Sequence, residues 1–377
     1  MAQHDVIVIG GGQAGLAMGH CLADRGQDFV ILDAAARVGD AWRSRWRSLT
    51  LFTPARYDSL PGLPFPAEPD HFPGRAEVAD YLERYARTFQ LPVHNGSVVH
   101  AVRALPGGGG FEVETAQAHH HARQVVIATG PFQKPKVPVM AAGLSGAVVQ
   151  LHSSAYQGPA QLPPGDVLVV GAGNSGVQIA AELAVARSTW LAIGTKLPRL
   201  PERLLGRSIF WWLERLGGMD ITARSRVGRR MSTRDALIGQ SPRQLARASG
   251  VGLLGRVASA AGNRIGTADG GSVEIAGLVW ATGFEFDFSF IRAPVLDERG
   301  RPVHERGVTA VPGLYFLGLP WQHTRGSALL GWVGRDAAWL AERIAARPRA
   351  PAGAVTAPPV RAQAAAGASS SNGGRIE

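Results

Sequence analysis

One supersecondary unit is written twice in this chain, and that duplication limits the folds open to it. The first copy is DVIVIGGGQAGLAMGHCLADRG, from Asp5; the second is DVLVVGAGNSGVQIAAELA, from Asp166. In each, a short β-branched run enters Gly-x-Gly-x-x-Gly and leaves as apolar residues at helical spacing. A strand that turns on glycine into a helix is the opening of a parallel βαβ unit. Two copies so far apart indicate two nucleotide-binding domains, not a solenoid. Two further strands, QVVIATGPF (124–132) and GLVWATGFEF (277–286), each end in Ala-Thr-Gly downstream of one glycine motif. The expected fold is therefore α/β, with two dinucleotide-binding (Rossmann-like) domains.

The glycines have separable tasks. Gly10 permits the tight turn, Gly12 lets a pyrophosphate approach the backbone, and Gly15 lets the helix pack close to its strand. The following helix, opening at Gln13 and Ala14, points free amides and its positive dipole end at the phosphates. Asp33 lies 18 residues after Gly15, at the end of DFVILD, where it can accept hydrogen bonds from a ribose diol. The second cradle is Gly171, Gly173 and Gly176, with Asn174 and Ser175 opening its helix. The same count of 18 lands on Gly194, followed by Thr195, Lys196 and, shortly after, Arg199. An acid there would repel a 2′-phosphate; a hydroxyl and a cation would receive one. FAD on the first cradle and NADPH on the second is the simplest pair.

Composition removes several alternatives. The chain has 377 residues, 45% of them hydrophobic and 18% charged, enough apolar material for sizeable cores. Its one cysteine, Cys21, leaves no disulfide framework, redox pair or thiolate zinc site. The net charge of +10 comes mostly from arginines spread along the chain, with no nucleic-acid motif among them. No apolar run is long enough to span a bilayer, and no basic region precedes the first apolar run, so a cytoplasmic protein without a secretory signal is expected. His119-His120-His121 reads as a solvated hairpin edge, because alternation sends the middle ring to the opposite face; no metal is expected.

Taken together, the motifs resemble those of the class B flavoprotein monooxygenases, the flavin-containing monooxygenases and YUCCA-type enzymes. The resemblance covers roughly residues 5–345. It rests on both glycine motifs, the paired Ala-Thr-Gly turns, Gly39-Asp-Ala-Trp42-Arg43, and the stretch from Leu51-Phe52-Thr53-Pro54 to Phe65-Pro66. Leu144-Ser-Gly146 through His152-Ser-Ser-Ala-Tyr156 matches the His-x-x-x-Tyr half of the family signature and departs from the first half. Baeyer–Villiger members usually carry tryptophan where this chain has Tyr156.

The resemblance implies an NADPH- and dioxygen-dependent monooxygenase acting on a small organic substrate through a C4a-(hydro)peroxyflavin. The alternative is an FAD-dependent NAD(P)H oxidoreductase passing electrons to a quinone, metal or protein. A non-catalytic nucleotide-sensing module is the rival outside the enzymes. By the same resemblance, Trp42, Arg43, Thr129, Gly130 and Gly318 lie beside FAD, and Thr282 and Gly283 lie by the NADP(H) domain or its hinge. Thr53, Gln322 and His323 are the candidates for groups acting at the flavin. The expected FAD domain is residues 1–158 plus 306–347, and the NADP(H) domain is 159–305 with a helical excursion at 197–265. Phe210-Trp211-Trp212 should anchor that excursion within its own domain, with a pocket wall as the alternative. A helix is expected at 329–345 and a disordered tail at 348–377.

Overall fold

In the computed structural model, which describes residues 2–348, the strand Ala2–Ile9 is the axis of an eight-stranded sheet. It pairs in parallel with Phe29–Leu32 on one side and with His119–Ile127 on the other. The first half of His119–Ile127 carries the antiparallel hairpin Val99–Ala104 and Phe111–Thr115, and its second half pairs in parallel with the late strand Leu314–Phe316. Val6 and Val8 face one core while Ile7 and Ile9 face the other. Both faces of the strand are thus dry, which is why its sequence is continuously apolar rather than alternating.

The second glycine unit builds a five-stranded, wholly parallel sheet. Its order is Gly252–Leu254, Thr189–Ala192, Val167–Val170, Gly277–Trp280 and Val149–His152. Val167 and Val169 belong to one core, Leu168 to another, repeating the arrangement of the first sheet. One compact unit extends through Ala345 and contains both sheets.

Several boundaries differ from expectation. Val149–His152 is already an edge of the second sheet, and Ile291–Arg292 is back in the first, paired with Val102 and Arg103. By sheet membership the insert is therefore nearer 149–280 than 159–305. The segment 197–265 is mixed rather than helical. It holds the short helices Ile209–Arg215, Arg226–Met231 and Pro242–Ser249, then Gly252–Leu254 joins the sheet and Val257–Ala261 pairs with Arg264–Thr267. The last helix starts at Val333, not Leu329. Gly331 precedes it, where a Cβ would fall 1.8 Å from the Tyr57 carbonyl oxygen. His119–His121 is no edge: it starts a strand flanked on both sides, and His120 is buried. No group of metal-binding side chains occurs among the described residues. The tail expected after Pro348 lies outside the described residues.

The chain crosses between the sheets twice, and the crossings are tied together. Lys134–Pro135 pairs antiparallel with Phe284–Glu285. The Lys136 amide donates to the Gly283 carbonyl at 3.0 Å, and the Thr282 hydroxyl donates to the Lys136 carbonyl. His152 Nε2 also meets the Gly283 carbonyl, at 2.9 Å. Burial lowers the basicity of His152, so its neutral ring donates there as a structural pin.

Candidate active site

The two glycine turns have nearly the same geometry. Gly10 and Gly171 have φ of 109° and 110°, which a side chain would strain. A Cβ at Gly10 would meet the Ala128 carbonyl oxygen at 2.6 Å, and one at Gly171 the Ala281 carbonyl oxygen at 2.3 Å. This explains the paired Ala-Thr-Gly turns: each alanine carbonyl packs on the first glycine of its own cradle. At Gly15 and Gly176 a Cβ would lie 1.8 Å from the carbonyl oxygen of Gly10 and Gly171 respectively. Gly12 and Gly173, by contrast, have open space where a Cβ would stand.

Both helices that follow begin without a side-chain cap, at Gly12 and Gly173. The short helices of the insert are each capped by a serine: Ser208, Ser225 and Ser241. The two uncapped ends retain free amides facing open space, a fit to dinucleotide phosphates.

A cavity of about 450 Å³ lies at the carboxyl ends of the first sheet, where ligands of such folds sit. It brings together Gly10, Gly12, Gln13, Ala14, Asp33, Trp42, Thr129, Gly130 and Gly318. From the second cradle it takes Asn174 and Ser175. Asp33 Oδ1 accepts from the Ala35 amide at 3.4 Å. Burial raises the Asp33 carboxyl, and the amides of Ala35, Gly11 and Ala34 pull it part of the way back. The Trp42 indole donates to Gln13 Oε1 at 3.4 Å, and the Gln133 amide donates to the Thr129 hydroxyl at 2.6 Å. Asn174 is also an internal brace, accepting from the Ile238 amide at 2.9 Å and donating to the Ala236 carbonyl at 3.3 Å.

The remaining expected site residues lie off this cavity. Arg43 turns outward to Asp80 and Glu83, at 2.8 and 2.7 Å. Thr53 is buried and donates to Asp58 Oδ1 at 2.5 Å, while its neighbour Phe52 lines the cavity. The Gln322 amide is consumed by the backbone, donating to the Phe316 carbonyl at 3.0 Å and accepting from the Leu319 amide at 3.3 Å. His323 meets the insert through its carbonyl, which accepts from the Ala223 amide at 2.7 Å, and burial lowers its basicity. Thr195 and Lys196 stand on an exposed rim of the second cradle. Thr282 and Gly283 belong to the paired crossings.

Sequence reasoning missed other groups. Arg256 donates to the Gly194 carbonyl at 2.6 Å and to the Thr195 hydroxyl at 3.2 Å, so it brings a fixed cation to that rim. The register is also offset by one: Gly10 N bonds Leu32 O and Gly171 N bonds Ala192 O, which puts Ile193, not Gly194, level with Asp33. The cavity wall further includes Arg45, Trp46, Phe132, Phe284 and Phe290. Phe210 is buried against Phe52, Tyr57 and Trp332, with ring centroids 5.9, 6.3 and 5.7 Å away. It anchors the insert to segments of the first sheet's domain rather than within its own.

Residues 7–195, spanning both cradles, match the pyridine nucleotide-disulphide oxidoreductase family. The chain belongs to that family. An uncharacterized oxidoreductase CzcO-like of Geobacillus kaustophilus is 46% identical over 90% of this chain and 98% of its own length. The structure of a flavin-containing monooxygenase from Stenotrophomonas maltophilia superposes with a TM-score of 0.75 at 32% identity, covering 91% of this chain and 98% of that one. A rice indole-3-pyruvate monooxygenase, YUCCA4, is 33% identical over 55% of this chain and 52% of its own. The flavin-monooxygenase resemblance read from the motifs is thus borne out. The chain is an oxidoreductase of this family, with flavin and pyridine-nucleotide cofactors. Its single cysteine, Cys21, is buried in the first core and its thiol is pushed up to about 11, so it offers no exchangeable thiol pair. No helix among the described residues is long and apolar enough to cross a membrane.

Proposed function

We propose that the chain is an NADPH-dependent flavin monooxygenase that places one atom of dioxygen on a small organic substrate. The observation that carries this reading is the shared cavity, onto which the uncapped cradles of both domains open. The apolar wall of buried Trp46 and Leu49 with half-buried Phe52, Phe284 and Phe290 supports oxygen insertion over simple electron transfer, because it limits bulk water at a reactive centre. The relatives named as monooxygenases support it as well.

In this reading Gly10, Gly12, Gln13, Ala14, Gly15 and Asp33 hold FAD, with Trp42, Thr129, Gly130 and Gly318 beside it. Gly171, Gly173, Asn174, Ser175 and Gly176 hold NADPH, with Thr195, Lys196 and Arg256 at its 2′-phosphate. The flavin supplies hydride acceptance and oxygen activation when bound. The protein's work is positional. Helix amides neutralise phosphates, Asp33 accepts from a ribose, and the tied crossings hold the two cradles at one spacing. N- or S-oxygenation, hydroxylation and oxidative decarboxylation all fit such a cavity.

The test is stoichiometric. Purified flavoprotein is supplied with NADPH and isotopically labelled dioxygen against amines, sulfides, ketones and aryl-pyruvates. One labelled atom in a product, matched to NADPH consumed, is expected. NADPH oxidation that proceeds equally well without air when a quinone is supplied, with no labelled product from any substrate, would make the chain an electron-transfer reductase.

A further inference from the structure

Arg45 lines the cavity, yet among the described residues its guanidinium has no hydrogen bond and no ion pair. Its neighbour Arg43 is held by Asp40, Asp80 and Glu83, and Arg56, Arg123 and Arg306 each have an acid as well. Arg45, unlike these, faces the cavity with no acid beside it among the described residues. Its guanidinium carbon sits 5.2 Å from the Phe132 ring centroid and 5.5 Å from that of Phe284. Those rings follow the two Ala-Thr-Gly turns and meet each other edge to face at 5.2 Å. Arg45 therefore stands at the paired crossings between the two sheets, flanked by one aromatic from each crossing. Its backbone is also fixed, since the Arg75 side chain donates to the carbonyls of both Arg43 and Arg45.

A guanidinium flanked by rings retains all of its N–H donors in the plane, because a π face removes none of them. Burial lowers its basicity, so the charge is partly desolvated with nothing opposite it. Such a charge gains most from an oxyanion that can accept two parallel hydrogen bonds. We propose that Arg45 is the anion-binding group of this cavity and takes a carboxylate or phosphate oxyanion. This rests on the monooxygenase reading only in requiring that the cavity receive a ligand. The two sources of that chemistry are the carboxylate of an aromatic substrate, which the phenylalanine wall would also hold, and a phosphate of the dinucleotide.

The experiment uses the full-length flavoprotein with Arg45→Met. Arg45→Gln, which keeps a planar head against the rings, covers the case where methionine disturbs folding. Phenylacetate, phenylacetamide and NADP⁺ are titrated separately while the flavin absorbance is followed. Loss of one charge-assisted contact should weaken an anion by about tenfold or more and leave the neutral amide unchanged. Weakening of phenylacetate assigns the site to a substrate carboxylate; weakening of NADP⁺ assigns it to a cofactor phosphate. If the variants keep wild-type flavin content and neither anion changes by as much as about twofold, the proposal is overturned. Failure of the functional reading looks different: wild-type protein would carry no flavin or would not oxidise NADPH.

Discussion

Asp58→Asn should flatten the pH dependence of stability on the acid side of neutrality. Asp58 is 1% exposed. Its Oδ1 accepts the Thr53 hydroxyl at 2.5 Å, and its Oδ2 has no partner. The loop after it is fastened to the helix Arg75–Thr88: the Tyr81 hydroxyl accepts from the Leu60 amide at 2.6 Å and donates to the Leu63 carbonyl at 2.7 Å, and Tyr85 donates to the Pro61 carbonyl at 2.6 Å. Burial therefore pushes the carboxyl from 3.8 to about 7, against the opposing pull of the Thr53 bond. An unfolded chain releases this proton near pH 3.8, while the folded chain keeps it to about 7. The stability held by the proton is complete below the lower value and is lost as pH rises through the upper one. At about 1.4 kcal/mol for each pH step, the window amounts to about 4 kcal/mol. Asparagine has no proton to lose. Any constant offset from the amide cancels when the gap between variant and wild type is compared at two pH values. Urea unfolding in excess FAD, at the two ends of the window, should show that gap moving toward the variant by about 3–4 kcal/mol. Parallel pH profiles for the two proteins would refute the assignment of a dry, proton-holding Asp58.

Two other predictions separate ligand contacts from packing. Gly12→Ala should leave the flavin-free protein within about 0.5 kcal/mol of wild type by thermal unfolding, because the added methyl meets open space, while weakening FAD by about tenfold or more. Gly15→Ala should instead destabilise the flavin-free protein by about 1–3 kcal/mol, since its methyl would meet the Gly10 carbonyl; similar behaviour of the two variants would contradict the division of labour. Arg256→Ala should raise the KM for NADPH by about tenfold and leave that for NADH unchanged, and an equal loss with both coenzymes would place the 2′-phosphate elsewhere.

What was legible in the sequence was local. Gly10, Gly12 and Gly15 reveal themselves because strand, turn and helix are contiguous, and Asp33 because one strand separates it from the helix. The fold class followed from the same contiguity. The misplacements share one cause, which is that side-chain direction was settled by residues far away or by buried competition. Thr53 is drawn from the cavity by Asp58. Gln322 is taken up by backbone groups that its own turn leaves free. Arg43 and Arg45 flank the end of the helix Asp40–Arg43, which sends one to the acids of Arg75–Thr88 and leaves the other facing the cavity. Arg256 could not be assigned by counting from the second cradle. Its place at Gly194 depends on the parallel pairing of Gly252–Leu254 with Thr189–Ala192, which no local pattern announces.

The same turn built twice need not hold its ligands equally, and the surroundings of the two cradles differ in the required direction. The first is walled by Ala128–Gly130, Gly318 and the Val98–Val99 segment, and Asp33, the proposed ribose acceptor, is half-buried. The second ends on Gly194, Thr195 and Lys196, all exposed, with Arg256 also exposed. Across the cavity, Gln178 donates to the Thr50 carbonyl at 3.0 Å, and Phe210 seals against Phe52, Tyr57 and Trp332. Opening the domains would break that seal, and a buried phenylalanine of this kind contributes about 3–5 kcal/mol. Exchange of a dinucleotide through the second rim breaks none of it. On the proposed assignment, the enclosed cradle therefore retains its flavin through turnover, while the open one releases and rebinds a soluble electron donor without the domains separating.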